Sequence, residues 1–346
     1  MSKLNVLLLF GGESSEHEVS LSSAQNVYDA IDKQKYIVDL CYIDTDGKWW
    51  SVMEFADQIS TDNCSQLLPV FGAGKFVAES DGRAVEPDVI FPILHGRNGE
   101  DGTVQGVAQL LHIPMVGCDV TASGIAMNKL ACKAVLRANG VDVIPYTSHY
   151  EYQEVPNFDK LTLEFGDTLF VKPARAGSSV GVSKVGNQEE LKQALDEAHQ
   201  HDPIALIEKA IVGQELEVAV LGTPPHHRVS GVGEVIPGKD FYTYEDKYAA
   251  DSMAKININA DIPAKAKEQI RDTAKHIFQI LDCKGLSRID YILCDDGTLH
   301  VLEVNTLPGF TNISMYPKLW QQQGISYSQL IDQLITDAVQ NGTMNK

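Results

Sequence analysis

The chain has 346 residues, enough for two or three domains with sizeable cores, and its hydrophobic content of 44% and charged content of 22% are those of an ordinary globular protein. The formal charge is −19, from 28 basic and 47 acidic residues. That balance argues against a protein that coats nucleic acid or an anionic membrane surface, but it leaves room for a small basic pocket. Leu4 to Phe10 reads as a short buried strand; a signal peptide needs a longer apolar core and a basic start. Gly11-Gly12 turns the chain into a helix whose inner face is Leu21, Ala24, Tyr28 and Ile31, and Ser15-x-x-Glu18 has capping-box spacing. Strand, glycine turn and helix is how α/β sheets begin, although G-x-G-x-x-G is absent. Glu16 stands above the strand ends, where such sheets bind ligands. From local sequence alone it reads as a favourable first-turn charge.

Tyr36–Ile43 and Trp49–Val52 read as further strands, and residues 54–86 are loop-rich without a clear period. Asp88–Leu94 is another strand. It runs into HGRNGEDG (His95–Gly102), where His95 and Glu100 either reach a ligand or satisfy backbone groups. A helix face at Val104, Val107, Ala108 and Leu111 and a short strand near Met115 close a first domain near residue 120. A helix then covers Asn128–Ala138, with Lys129 in its first turn, where the helix dipole disfavours a cation. Residues 150–165 read as a polar connection. Leu169–Lys172 and Val182–Val185 are strands joined by ARAGSSVG (Ala174–Gly181). A lysine beside such a loop suits phosphate, and a flexible hairpin is the plainer reading. Asn187 caps the next helix, Ile204–Ala210 is a strand carrying Glu208 and Lys209, and Glu215 and Glu217 open another. Residues 226–236 alternate as a strand, residues 238–252 read as a loop able to close over a ligand, Pro263 begins a long helix and residues 326–341 make a last one. The six scattered cysteines lack a C-x-x-C pair and read as reduced thiols of a cytoplasmic protein. No stretch approaches a membrane span.

The most informative run is Ser287–Ser314. Leu286–Cys294 and Thr298–Asn305 are rich in strand formers, and Asp296-Gly297 between them is a two-residue hairpin signal. A turn closing there sets Asp290 opposite Glu303 and Arg288 opposite Asn305, all four on one face. Ile289, Tyr291, Leu293, Leu302 and Val304 fall on the other, apolar face. Facing carboxylates with Cβ atoms roughly 5 Å apart repel, so the pair needs a cation or a shared proton. Asp, Glu and Asn form an all-oxygen set suited to Mg²⁺, which shares its shell with water and substrate phosphates. An exposed hairpin with ordinary surface charges is the bland alternative.

Taken in order, GGESSEHEVS, HGRNGEDG, MNKL, FVKPARAGSSVGVSKV, LIEKAIVGQELEVAVLG, FYTYEDKY, SRIDYIL and LEVNTLPGFTNISMYP resemble the D-alanine–D-alanine ligase family, ATP-grasp enzymes of bacterial peptidoglycan synthesis. The resemblance covers nearly the whole chain and is poor only over residues 54–86. It implies an α/β fold of mixed α+β type, a three-domain ATP-grasp architecture. Its parts would be a Rossmann-like N-terminal domain (1–120), a central subdomain (121–212) and a C-terminal subdomain (213–346). It implies ATP between the last two, with Lys129 and Lys172 on the phosphates, Glu208, Lys209, Ala210 and Ile211 at the adenine and Glu215 at the ribose. Asp290, Glu303 and Asn305 would hold two Mg²⁺ or Mn²⁺ ions. Glu16 would bind the ammonium of the first D-alanine. Lys247, Ser314 and Met315 would hold the carboxylate of the second, and His95 would lie near the acyl phosphate. Arg288 and the Gly309 N–H would stabilise the tetrahedral oxyanion, and Glu16, Ser178 and Tyr248 would latch the 238–252 loop. The resemblance also suggests a cytoplasmic homodimer with no nucleic-acid or membrane partner. The nearest rival is a ligase that adds D-serine or D-lactate, and Tyr248 argues against the lactate type.

Overall fold

The computed structural model describes residues 3–55, 59–236, 255–311 and 313–344. Its first sheet is built on β1 (Leu4–Gly11), flanked in parallel by β2 (Tyr36–Ile43) and β7 (Val89–Ile93). Val6 to Phe10 are fully buried, because a parallel strand covered on both faces has no solvent side. The helix α1 (His17–Ala30) makes the crossover from β1 to β2. The short strands β3 (Trp49–Val52), β4 (Ser65–Val70), β5 (Lys75–Ala78) and β6 (Ala84–Val85) extend the sheet antiparallel, in the order β6-β5-β4-β3-β2-β1-β7. They account for much of the stretch that shows no period in the sequence. Strands of two to six residues on a half-solvated edge alternate over too few positions to be read.

Two details of the β1–α1 turn depart from the sequence reading or sharpen it. The N-cap residue is Glu16 rather than Ser15, and its side chain makes no capping bond, while the Ser14 hydroxyl accepts the Glu16 N–H at 3.1 Å. Gly11 has φ +92°, and a Cβ there would stand 2.2 Å from the Ile43 carbonyl oxygen. Gly11→Ala therefore combines a left-handed backbone with a clash against an unyielding strand. We expect it to cost about 3 kcal/mol of unfolding free energy, read as a lower urea midpoint at unchanged slope.

The helices α2 (Thr103–Leu111), α3 (Val120–Met127) and α4 (Lys129–Ala138) lead to the second sheet. Asp119 and Asn128 cap α3 and α4 with their side-chain oxygens. The second sheet is antiparallel, with β8 (Tyr146–Tyr150), β9 (Leu169–Pro173), β10 (Ser183–Val185) and β11 (Ile204–Lys209) in the order β10-β9-β11-β8. The supposed polar connection contains α5 (Phe158–Phe165), which buries only Phe158 and Phe165 and leaves Leu163 exposed. Asn187 caps α6 (Gln188–Ala198), as its sequence position predicts.

The third sheet has the order β14-β13-β12-β15-β16, from β12 (Gln214–Gly222), β13 (Arg228–Ile236), β14 (Lys255–Asn257), β15 (Gly285–Leu293) and β16 (Leu299–Asn305). One face packs on α7 (Ala264–Ile280) through Leu216, Val218 and Val220 against Ile270, Ala274 and Ile277. The other face is divided. Ala219, Leu221 and Leu286 meet α8 (Met315–Gln322) and α9 (Tyr327–Met344), whereas further along the same face Glu215 and Glu217 line a cleft and Asp290 stands opposite Glu217. Leu330, Ile331, Leu334 and Ile335 of α9 share one core with Val6, Phe10 and Phe91, so the last helix ties the third sheet to the first. Tyr36 adds a hydroxyl bond of 2.7 Å to Asp332. Among the described residues no helix is long and apolar enough to cross a membrane.

Candidate active site

β15 and β16 close through a three-residue loop, Asp295–Gly297. The Cys294 N–H donates to Thr298 O at 2.9 Å, and Gly297 takes φ +86°, the usual type I turn followed by a left-handed glycine. The loop is one residue longer than the Asp-Gly signal predicts. A β-bulge at Leu302 removes the offset. Tyr291 pairs with Val301, but Asp290 pairs with Glu303 and Arg288 with Asn305. The expected pairs thus form through two opposite displacements of one residue. The bulge also turns Leu302 out of the apolar face assigned to it. Val301 and Val304 are in the core, while Leu302 lines the cleft beside Glu303.

On the other side of β15, β12 sets Glu217 directly opposite Asp290. Glu217, Asp290 and Glu303 therefore lie side by side on three neighbouring strands. Arg288 is the guanidinium among them. Its Nε and Nη2 donate to Asp290 Oδ1 and Oδ2 at 2.8 and 2.7 Å, and its Nε lies 3.3 Å from Glu217 Oε2. Burial works against the charge on Arg288; Asp290 and Glu217 overcome it and hold the side chain protonated above the usual arginine range. The sequence reading names Glu217 only as one of two acids opening a strand and gives it no role in the site. The available signal was an acid heading the apolar run Val218–Leu221, on the same strand face as Glu215.

Two cavities meet at this row. One, of ≈ 420 Å³, is lined by Glu16, His95, Glu100, Arg288, Gly309 and Ser314. The other, of ≈ 670 Å³, is lined by Lys172, Glu208–Val212, Glu215, Ile292 and Leu302. Lys129, Ala176–Ser178 and Glu303 border both. In the larger cavity Glu208 is fully buried between two lysines, with Lys172 Nζ at 2.5 Å and Lys133 Nζ at 3.0 Å. Burial opposes its ionisation, and the two ammonium groups outweigh that and hold the carboxyl below its ordinary range. Burial also pulls Lys133 down, offset only in part by the carboxylate it shares with Lys172. Lys133 is a further residue the sequence reading passed over. It lies one helical turn after Lys129 on α4, a spacing that puts both on one face.

The Ala174–Gly181 loop runs along the border of the two cavities. Ser178 and Ser179 adopt φ of +49° and +59°. Consecutive left-handed residues without glycine are strained, by about 1–3 kcal/mol each, and both line the larger cavity. Lys129 donates to Ala176 O at 2.6 Å, and Arg175 grips the buried Asp202 through two bonds of 2.8 Å, so the loop is fixed at its base.

In the smaller cavity, positions that Cβ atoms would take on Gly96 and on Gly177 each lie 3.2 Å from Glu16 Oε2. Glu16 thus bridges the His95–Gly102 loop and the segment next to Ser178. The His95 ring is engaged at both nitrogens, by Leu307 O at 3.2 Å on Nδ1 and the Ser23 hydroxyl at 3.4 Å on Nε2. The carbonyl only accepts, so Nδ1 carries the proton. Burial keeps the ring neutral by lowering its pKa. The histidine therefore braces the loop that leads to Gly309. Ser314 begins α8, with its hydroxyl 2.8 Å from Thr311 Oγ1 and accepting the Thr311 N–H at 3.0 Å. The Met315 side chain is buried against Gly233, which leaves only its backbone to face a ligand. Lys247, Tyr248 and the whole 238–252 loop lie outside the described residues.

Matched against known families, residues 5–118 fit the description D-ala D-ala ligase N-terminus and residues 135–336 fit D-ala D-ala ligase C-terminus. The chain belongs to the D-alanine–D-alanine ligase family. Among its relatives, D-alanine–D-alanine ligase A of Chromobacterium violaceum is 41% identical, covering 100% of this chain and 98% of that protein. The D-alanine–D-alanine ligase of Oceanobacillus iheyensis is 42% identical over 98% of this chain and 96% of the relative. The solved D-alanine–D-alanine ligase of Coxiella burnetii superposes with a TM-score of 0.88 at 32% identity, covering 100% of this chain and 96% of that one. The VanG D-Ala:D-Ser ligase of Enterococcus faecalis gives 0.87 at 33% identity, over 97% and 99%. The protein is therefore a ligase with the ATP-grasp fold.

The donor set of this D-alanine–D-alanine ligase family member fits a hard divalent cation, since Asp290 and Glu303 face each other with Asn305 beside them. Among the described residues no three His, Cys, Asp or Glu side chains make a metal cage by themselves. A site of that kind relies on water and substrate phosphate to complete the shell, as magnesium sites usually do.

Proposed function

We propose that the protein joins two D-alanines to D-alanyl-D-alanine at the expense of ATP, releasing ADP and phosphate, as a cytoplasmic step of cell-wall precursor synthesis. The observation that carries this reading is the shared border of the two cavities, where a nucleotide in the larger one meets an amino acid in the smaller one: Glu303 lines both, Arg288 lines the smaller, and Asp290 is the strand partner of Glu303. ATP lies between the second and third sheets, in the central (121–212) and C-terminal (213–346) parts. Glu208, Lys209, Ala210 and Ile211 read the adenine, Glu215 takes the ribose hydroxyls, and Lys129, Lys172 and the Ser178–Ser179 turn receive phosphate oxygens. Asp290, Glu303 and Asn305 hold two Mg²⁺ or Mn²⁺ ions, which supply neutralising charge for the β- and γ-phosphates.

The first D-alanine presents its ammonium to Glu16 in the N-terminal part (1–120). Its carboxylate oxygen attacks the γ-phosphorus and ADP leaves, which gives an acyl phosphate. The second D-alanine, held by its carboxylate at Ser314, the Met315 backbone and Lys247, attacks the acyl carbon with its amine. Negative charge on the tetrahedral oxygen is met by Arg288 and the Gly309 N–H, the amine loses a proton, and phosphate departs. Glu16, Ser178 and Tyr248 latch the 238–252 loop to exclude water from the acyl phosphate, and His95 holds the adjoining wall in place. The working form is a homodimer.

The test is direct. With ATP, Mg²⁺ and D-alanine the protein releases phosphate and dipeptide in equal amounts; phosphate without dipeptide would exclude the amine step. The D-Ala:D-Ser relative supplies the competing reading. Offered D-alanine, D-serine and D-lactate together across a pH series, the protein is expected to place D-alanine second at every pH. A majority of D-alanyl-D-serine would overturn the choice of acceptor.

A further inference from the structure

His149 on β8 and His199 at the end of α6 line neither cavity and take no part in the proposed reaction. His149 is buried and His199 half-buried. His149 Nδ1 stands 2.9 Å from His199 Nε2. The outer nitrogen of each ring meets a backbone carbonyl: Glu154 O is 3.3 Å from His149 Nε2, and Asp202 O is 3.0 Å from His199 Nδ1. Carbonyls accept and never donate, so both outer nitrogens carry hydrogens. The contact between the inner nitrogens needs a hydrogen as well. Three contacts thus call for three ring hydrogens, and two neutral imidazoles supply only two. One ring is therefore charged, and the surroundings choose His199. Burial pulls the His149 pKa down against its bond to Glu154 O, and a charge on His199 pulls it down further. His199 caps the C-terminus of α6, where the helix dipole favours a cation.

We propose that His199, held as an imidazolium by His149, is a positioning residue that fixes the Ala174–Gly181 loop through Asp202 and Arg175. The link is one short turn, residues 199–202. Asp202 takes the His199 Nδ1 hydrogen on its carbonyl, while its buried carboxylate grips Arg175 at the foot of the loop and accepts the Ile204 N–H at 2.8 Å. His201 of the same turn packs on the far end of the loop, its Cδ2 2.8 Å from where a Cβ on Gly181 would stand. The other charged groups around the pair are Glu197 on α6, which accepts the Ser183 hydroxyl on β10, and Glu154 on the segment after β8. On β11 the strand partner of His149 is Ala205, which brings no charge. Loss of the His199 proton leaves three contacts with two hydrogens, so one contact fails and the turn loosens. The sign follows: loop order is complete at low pH and falls as the pH rises through the His199 titration. The consequence for a bound phosphate rests on the nucleotide reading above; the protonation of His199 does not.

The experiment uses the full chain labelled with ¹⁵N-histidine and follows the ring nitrogens by NMR between pH 6 and 9, with signals assigned from His149→Gln and His199→Gln. Hydrogen exchange of the 174–181 amides and affinity for a non-hydrolysable ATP analogue with Mg²⁺ are measured over the same range. At neutral pH His199 is expected to carry hydrogens on both nitrogens and His149 on Nε2 alone. As His199 loses its proton, protection of the loop amides is expected to fall about fivefold, with nucleotide affinity falling alongside. His199→Gln sets an uncharged N–H against His149 Nδ1, so its loop protection and nucleotide affinity should lack that pH dependence. A wild-type His199 that is neutral throughout overturns the proposal on the spectra alone. So do loop protection and affinity that follow the same pH course in wild type and His199→Gln. Should loop protection track the His199 proton while the ATP analogue fails to bind, the positioning role stands and the nucleotide reading falls.

Discussion

Replacing Arg288 with alanine is expected to lower turnover about a hundred- to a thousandfold, with the KM for ATP little changed. The size is that of one oxyanion donor removed from a closed site, about 3–4 kcal/mol of transition-state stabilisation. The split between turnover and binding follows from position. Arg288 borders the smaller cavity, whereas Lys172, Glu208 and Glu215, proposed above to face the nucleotide, line the larger one. The change has a structural cost too, since it leaves Glu217 and Asp290 facing each other without their shared guanidinium. Removing one partner from a buried ion pair costs about 3–5 kcal/mol, so thermal unfolding must be measured alongside kinetics. Arg288→Lys separates the two effects: the charge stays and the two-pronged contact with Asp290 goes. Its stability should largely recover while turnover stays low. Unchanged turnover in a folded Arg288→Ala protein removes the residue from the chemistry.

Asp290→Asn is expected to reduce kcat/KM by roughly a thousandfold, or about 4 kcal/mol, at fixed Mg²⁺. Asparagine preserves the shape and one acceptor oxygen, and Glu217 remains against Arg288, so stability should shift less than in Arg288→Ala. The diagnostic readout is nucleotide binding as Mg²⁺ is raised. The midpoint should move to higher Mg²⁺ in the variant, while affinity for nucleotide without divalent cation is unaltered. A variant with wild-type Mg²⁺ dependence would place the cation elsewhere.

Several elements are legible in the sequence because their determinants are local. The all-apolar run Val6–Phe10, the Asn187 cap and the start of α7 at Pro263 each need only a few neighbouring residues, and each forms where the pattern puts it. The hairpin is less simple. Its site pairs match the sequence reading although its turn does not, because the bulge at Leu302 restores the register that the longer loop shifts. Nothing in Leu302 itself announces a bulge; the demand that both Val301 and Val304 stay in the core imposes it. α3, α5 and α8 escaped notice because each is eight residues long, two turns of helix being too few to establish a period.

The sequence alone determined the kinds of chemistry available: two acids and an amide at alternating positions across a β-turn, an arginine on the same face, and a lysine beside a small-residue loop. These survive from sequence to structure because strand alternation is a property of the backbone. Only the tertiary structure decided their company. Glu217 meets Asp290, Lys133 meets Glu208, and His149 meets His199, through contacts between residues far apart in the chain. Which charges neutralise one another depends on strand order and helix packing. Those are settled by how the apolar faces of three sheets are buried, and the charged residues record nothing of that in their own neighbourhood.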